Sequence, residues 1–324
     1  MLIDNYTVES SLFCYQNSYE LRLLLGMKKK YILSLDGGGV RTIASITFLK
    51  KLEKEMGIKI HEKFDYFVGT SAGAISCLAL AAKGFSVPDL EEIWAPGNLK
   101  KTMQSSSWEL RLGLLQSNPK YTSVGKREVL SSYFGQSTLG ESNKPVAVLS
   151  YDIQKRNPVL LRSYAAEDQN ISLVDAADAT SAAPIYYPTA KVGDKYLIDG
   201  AIVANHPVLH GYVEAKKLFP NTEIKVLSIG TGLSKRSLNG EASMKWGIVG
   251  WLMHDLFGLM VESSLDHELA GELIGEHYLR VNSPIDSVNR RLDDRSKSNI
   301  ERITKMGEDW WDQFGERAVK LLSE

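Results

Sequence analysis

The sequence predicts an α/β fold, a mainly parallel sheet flanked by helices, and three observations predict it. Tyr31-Ile32-Leu33-Ser34-Leu35 reads as a buried strand, cut by Asp36-Gly37-Gly38-Gly39-Val40-Arg41. Behind that loop, Ile46, Leu49, Leu52 and Met56 recur at helical spacing from about Ile43 to Met56. A second apolar run, Tyr66 to Val68, enters the turn Gly69-Thr70-Ser71-Ala72-Gly73 and leaves through a small-residue helix from Ala74 to Ala82. The order β-α-β-α is that of parallel strands covered by helices.

Composition sets the bounds. A chain of 324 residues suits one large domain or two small ones and buries a sizeable core. Its 44% hydrophobic and 24% charged residues are ordinary for a globular protein, and a net charge of −1 gives no global field for a nucleic acid polymer. The two cysteines, Cys14 and Cys77, form neither a disulfide framework nor a zinc spacing, and Cys77 reads as a small buried hydrophobe. No apolar run reaches the roughly 18 residues of a membrane span. Leu21 to Leu25 is too short for a signal peptide, and Lys28-Lys29-Lys30 follows it, so a cytoplasmic protein is expected.

Further along, Ser86-Val87-Pro88-Asp89 is a helix start, with Leu90, Ile93 and Trp94 on an apolar face. Gly97 to Ser107 is polar and reads as a surface loop. Val124 to Phe134 is a helix ended by Gly135. Val146 to Asp152 is a strand with a hairpin partner at Pro158 to Ser163. Leu173 to Thr180 is a short helix, and Ser181-Ala182-Ala183-Pro184-Ile185-Tyr186-Tyr187-Pro188 a rigid turn. Strand Tyr196 to Ile198 delivers Asp199-Gly200-Ala201, and strand Ile224 to Ile229 ends in Gly230-Thr231-Gly232. Trp246 to Val261 is apolar and tryptophan-rich, which suits either core packing or a membrane contact through Trp246, Trp251, Leu252, Phe257 and Met260. From Ile300 to Leu322 an amphipathic helix carries Ile300, Ile303, Met306, Trp310, Phe314, Ala318 and Leu321 on one stripe, which reads as core packing.

Two glycine-rich turns carry candidate chemistry. Gly69 to Gly73 is a G-x-S-x-G elbow, which holds a serine hydroxyl out at a strand-to-helix turn. Read alone, the motif favours the blander reading, a tight βα turn with a serine at the helix N-cap. The Gly37-Gly38-Gly39 loop aims backbone N–H groups outward at the positive end of a helix, with Arg41 beside it. It has neither the dinucleotide fingerprint nor the Walker lysine, so an oxyanion formed in acyl transfer is the favoured anion. Asp199, read alone, is a turn-former ahead of a positioned carboxylate.

The ordered set Asp36-Gly37-Gly38-Gly39-Val40-Arg41, Gly69-Thr70-Ser71-Ala72-Gly73, Ser181-Ala182-Ala183-Pro184 with Tyr187-Pro188, Asp199-Gly200-Ala201 and Leu227 to Gly232 resembles the patatin-like phospholipase family. The resemblance covers roughly residues 30 to 235, departing at Asp-Gly-Ala, where many members have Asp-Gly-Gly. It implies a three-layer α/β/α sandwich around a mainly parallel sheet. The divisions are 1–29 as an N-terminal extension, 30–235 as the catalytic core and 236–324 as a C-terminal helical extension. It also implies a phospholipase A-type lipid acyl hydrolase with Ser71 as nucleophile, Asp199 as its dyad partner, and Gly37, Gly38, Gly39 and Arg41 as the oxyanion loop. No cofactor or metal is implied, and the implied partner is a phospholipid or membrane surface. A small-molecule or protein activator, peripheral membrane contact and secretion as an effector stay open.

Two rivals stand beside this reading. One is a Ser-His-Asp esterase using His206, His210, His254, His267 or His277, since the order Ser…Asp…His is available. The other is a non-catalytic module whose glycine loop and Arg41 hold a phosphate or lipid head group.

Overall fold

The computed structural model describes residues 28–105, 118–234, 237–247, 250–251, 254, 259 and 266–323. Residues 1–27, with Cys14, lie outside the described part. So do Leu252, Phe257 and Met260 of the tryptophan-rich segment.

Among the described residues, eight strands build one sheet: β1 (Lys29–Leu35), β2 (Tyr66–Thr70), β3 (Val146–Asp152), β4 (Asn157–Arg162), β5 (Ala190–Val192), β6 (Lys195–Asp199), β7 (Glu223–Ile229) and β8 (Tyr278–Val281). The order β3-β2-β1-β7-β8 is parallel throughout, while β4 and β6 run antiparallel to β3. Alternate side chains along each strand separate into two cores, as the pleat requires. Leu33, Leu35 and Phe67 face one layer, containing α1 (Thr42–Met56), α2 (Ser71–Lys83) and α9 (Lys297–Ser323). Ile32, Tyr66, Val68 and Val226 face the other, where α7 (Val208–Leu218) and α8 (Asp266–Ile274) supply Val208, Ala215, Ala270 and Ile274. Helix, sheet, helix: the expected sandwich is present.

The amphipathic stripe of α9 packs on α1, with Ile303, Trp310 and Ala318 essentially inaccessible. A Cβ at Gly307 would press on the carbonyl of Ala44, so glycine sets how closely these helices cross. The Trp310 indole N–H donates to Ser283 Oγ at 2.7 Å, satisfying its polar edge. Cys77 is fully buried, its thiol directed at the Val68 carbonyl, and burial pushes its pKa up.

Two readings change. Gly97 to Ser107 is not simply a loop, because Pro96–Thr102 forms a helix, α4, following α3 (Val87–Ile93). Pro96 opens it in the first turn and buried Leu99 anchors it, with Met103 buried just after, in a stretch whose polarity suggested a loop and whose last two residues lie outside the described part. The segment 236–324 does end in a helix, but it also lends strand β8 to the main sheet, in register with β7 from Val226–Tyr278 to Ile229–Val281. At four residues, one of them Arg280, β8 has no pattern long enough to read.

Candidate active site

The β2-to-α2 turn places Ser71 at φ 54°, a left-handed conformation unusual for serine and held by its surroundings. Its N–H donates to Thr180 Oγ1 at 3.0 Å, and Thr70 Oγ1 donates to the Ala204 carbonyl at 2.9 Å. Gly73 is required by contact: a Cβ there would overlap the main chain of Leu35 and Asp36. Ser71 is the first residue of α2 and not its N-cap, which is Thr70 and makes no side-chain cap.

The hydroxyl turns to Asp199. Ser71 Oγ donates to Asp199 Oδ2 at 2.6 Å, and the Ala201 N–H donates to Oδ1 at 2.9 Å. Sheet register brings the two together. Thr70 pairs with Leu149 of β3, and Asp199 with Ser150, the next residue. Because β4 occupies the opposite edge of β3, β2 and β6 meet end to end on the same edge. Asp199 is 2% exposed, and burial pushes its carboxyl up to about 6 against the hydrogen bonds from Ser71 and Ala201 and the charge of Lys126.

The glycine loop lies across from the serine. Gly37 N–H donates to the Asn205 carbonyl at 3.1 Å, so that amide is spent, and the oxyanion reading narrows to Gly38 and Gly39. Neither of those amides has an acceptor among the described residues. The Gly37 carbonyl is held by Thr231 Oγ1 at 2.7 Å and Asn205 Nδ2 at 3.2 Å. A Cβ at Gly38 would overlap Thr231, and one at Gly39 the Leu292 carbonyl, with Gly39 also at φ +54°. The Arg41 side chain is buried and lines the same cleft.

That cleft runs from Ser71 and Asp199 to an apolar wall that includes Ile75, Trp94, Leu99, Met103, Val129 and Leu130. A hydrocarbon chain suits such a wall, since burying it releases about 0.8 kcal/mol per methylene. Tyr121 and Lys120 bond Asp293 at one side, joining the loop after β8 to the cleft.

The histidines are elsewhere. His206 Nδ1 lies 2.5 Å from Asp36 Oδ2, beside Arg280. His254 Nδ1 lies 2.8 Å from the Gly250 carbonyl, and its ring stacks on Trp246. No histidine nitrogen hydrogen-bonds Ser71 or Asp199 among the described residues. In the tryptophan-rich segment, Trp246 and Trp251 are half-buried and meet edge to face at 5.3 Å.

Sequence comparison decides the family. A patatin-like phospholipase model matches residues 33–211. The chain belongs to the patatin-like phospholipase family. It is 31% identical over 268 residues to a cGAMP-activated phospholipase of Pseudomonas aeruginosa, covering 80% of this chain and 79% of that protein. It is 28% identical over 332 residues to patatin-like protein 1 of Arabidopsis thaliana, covering 86% and 80%. Its fold is similar to the crystal structure of VipD from Legionella pneumophila, with a TM-score of 0.52 at 14% identity, over 92% of this chain and 67% of that one.

Sequence reasoning missed Thr180, Asn205, Thr231 and Leu292, which bond Ser71 and the glycine loop. Thr180 and Thr231 do lie in blocks that drew attention. Their roles depend on contacts between strands distant in sequence, which no local pattern encodes.

Proposed function

We propose that this patatin-like protein is a phospholipase A-type lipid acyl hydrolase acting through a Ser71–Asp199 dyad. The observation that carries the proposal is the direct 2.6 Å hydrogen bond between Ser71 Oγ and a buried carboxylate, with no imidazole between them. Asp199 Oδ2 takes the Ser71 proton as Oγ attacks the ester carbonyl carbon. The N–H groups of Gly38 and Gly39 receive the oxyanion, each worth about 3 kcal/mol of barrier in comparable sites. Collapse breaks the bond to the glycerol oxygen, which leaves with the proton from Asp199, and the acyl group stays on Ser71. A water then gives Asp199 a proton, attacks the acyl carbon, and releases the fatty acid as Ser71 regains its hydrogen.

Burial makes the carboxylate a better base than an exposed aspartate, since a pKa of about 6 lies closer to neutral operating conditions. The apolar wall takes the acyl chain, and the head group stays toward solvent or membrane. The relative named as cGAMP-activated makes a cyclic dinucleotide the first activator to test.

The test is incubation with phospholipid vesicles and with a p-nitrophenyl acyl ester, each with and without a cyclic dinucleotide, followed by product mass spectrometry and fluorophosphonate labelling. The expected outcome is free fatty acid plus lysophospholipid, with the adduct on Ser71. No turnover and no Ser71 adduct under all conditions would favour the lipid- or phosphate-binding module instead. Activity that survives Asp199→Asn but not His206→Gln would favour the histidine triad.

A further inference from the structure

We propose that Lys126 is a positioning residue for the dyad, its buried ammonium clamping the chain segment from which both Ser71 and Asp199 hang. The inference rests on the Ser71–Asp199 reading above. Lys126 belongs to helix α5 (Ser123–Phe134), is 2% exposed, and lines the same cleft as the dyad. Its Nζ reaches Asp178 Oδ1 at 2.9 Å, and the Asp178 carbonyl, the Ser181 carbonyl and Ser181 Oγ at 3.2 Å each. Those acceptors close the C-terminal end of helix α6 (Leu173–Thr180), where carbonyls carry partial negative charge and attract a cation.

The clamped segment is the dyad's scaffold. Thr180 Oγ1 accepts from the Ser71 N–H and donates to the Leu149 carbonyl at 2.5 Å. The Ala182 carbonyl accepts from the Asp199 N–H at 3.1 Å, and the Thr180 carbonyl from the Gly200 N–H at 3.4 Å. A shift of the α6 end therefore moves the serine and the carboxylate relative to each other. Misplacement of reacting groups by about 1 Å costs on the order of 100-fold in rate.

Stability alone gives little reason to bury an ammonium here. Removing two charges from water costs several kcal/mol per ion, and a well-packed apolar pair often serves a core as well or better. The charge does act on the candidate base. The ionised groups facing Lys126 are Asp178 from α6, Asp199 from β6 and Arg127 from its own helix, with the Tyr187 ring 4.2 Å from Nζ. Arg127 is held by Asp175 and by the other oxygen of Asp178, and the charge of Lys126 favours ionised Asp199.

The experiment compares wild type, Lys126→Met and the double variant Lys126→Met/Asp178→Asn, which removes the buried Asp178 charge along with its partner in case the single variant folds poorly. The kcat, the KM and the pH profile on a soluble acyl ester are read per active site titrated with fluorophosphonate. The clamp predicts that kcat falls about tenfold or more while KM stays within about twofold. It also predicts that the acid limb of kcat/KM moves to higher pH, because Asp199 loses its favourable cation. A purely structural lysine would lower the titratable fraction and leave the limb in place. A wild-type kcat and acid limb in either folded variant would overturn the clamp. Absence of both turnover and labelling in the wild type would instead overturn the dyad reading.

Discussion

Thr70 and Asp199 end two strands that meet head to head on one edge of β3, opposite the neighbouring residues Leu149 and Ser150. The meeting explains how Ser71 and Asp199, 128 apart in sequence, come within a hydrogen bond. β2 runs parallel to β3 and stops at Thr70, while β6 returns antiparallel and stops at Asp199. Each strand end releases its functional group into the gap between them. A pleated edge is rigid, so the sheet sets where the two strands stop, and the α6 end, bonded to the Ser71 and Asp199 amides, fixes the groups on them.

Removing the carboxylate charge tests both chemistry and cost. Asp199→Asn keeps the shape but cannot take the serine proton, so kcat is expected to fall on the order of 1,000-fold or more. Burial that raises the folded pKa from 3.8 to about 6 means that ionised Asp199 destabilises the fold. The sign follows: this cost is absent below the unfolded value and complete above about pH 6. At neutral pH it amounts to about 3 kcal/mol, from 1.36 kcal/mol per unit. Asp199→Asn is therefore expected to melt higher than wild type at pH 8, with the gap closing toward pH 4. An unchanged or lower Tm at pH 8 would contradict the burial argument.

With Asp199 as the proposed base, the same group is expected to set the pH dependence of turnover. The base must be ionised, so kcat/KM on a soluble ester is expected to rise through about pH 6 with the slope of one proton and then level off. A histidine partner would also titrate in that range, so the profile needs pairing with Asp199→Glu. A longer side chain displaces the carboxylate and moves the limb, whereas a histidine base would keep it.

The glycine loop yields a steric prediction. At Gly38 a side chain would overlap Thr231, whose hydroxyl holds the Gly37 carbonyl, so Gly38→Ala pushes the loop from its anchor. If Gly38 and Gly39 receive the oxyanion, kcat falls about 100- to 1,000-fold with KM little changed. Gly97→Ala, where a Cβ meets nothing within 4 Å, is the control. An equal, small effect of both would remove the loop from the reaction.

Legibility in the sequence followed the range of the interactions. The strands β1, β2, β3 and β7 and the helices α1 and α9 were readable because apolar residues repeat along them. Ser71 and Asp199 were readable as turn residues, but only family resemblance paired them. Their meeting depends on β3, which lies far from both in sequence. Gly37 shows the limit from the other side: three glycines read as three donors, yet the Asn205 carbonyl takes one amide. Arg280 and β8 left no trace at all. A single arginine in a four-residue strand looks like surface until Asp36 is placed opposite it.

That arginine supports the last prediction. Arg280 NH1 donates to Asp36 Oδ1 at 3.0 Å and to Ser228 Oγ at 2.8 Å, NH2 donates to Asp36 Oδ2, and His206 completes the cluster. Asp36 has no exposed side-chain surface and opens the glycine loop, so its charge is tolerated only with these partners. Arg280 and His206 hold its carboxyl below the usual aspartate range against the opposing effect of burial. A depressed folded pKa gives stability that is present above the unfolded value and lost as pH falls through the folded one. Arg280→Met leaves the carboxylate buried beside His206 alone and is expected to cost about 3–5 kcal/mol at pH 7 in urea unfolding. The deficit is expected to shrink toward pH 3, where Asp36 can be protonated in the variant. Arg280→Met/Asp36→Asn, with no charge left to compensate, is expected to recover most of the loss. A double variant as unstable as the single one would mean that Arg280 acts through packing rather than through Asp36.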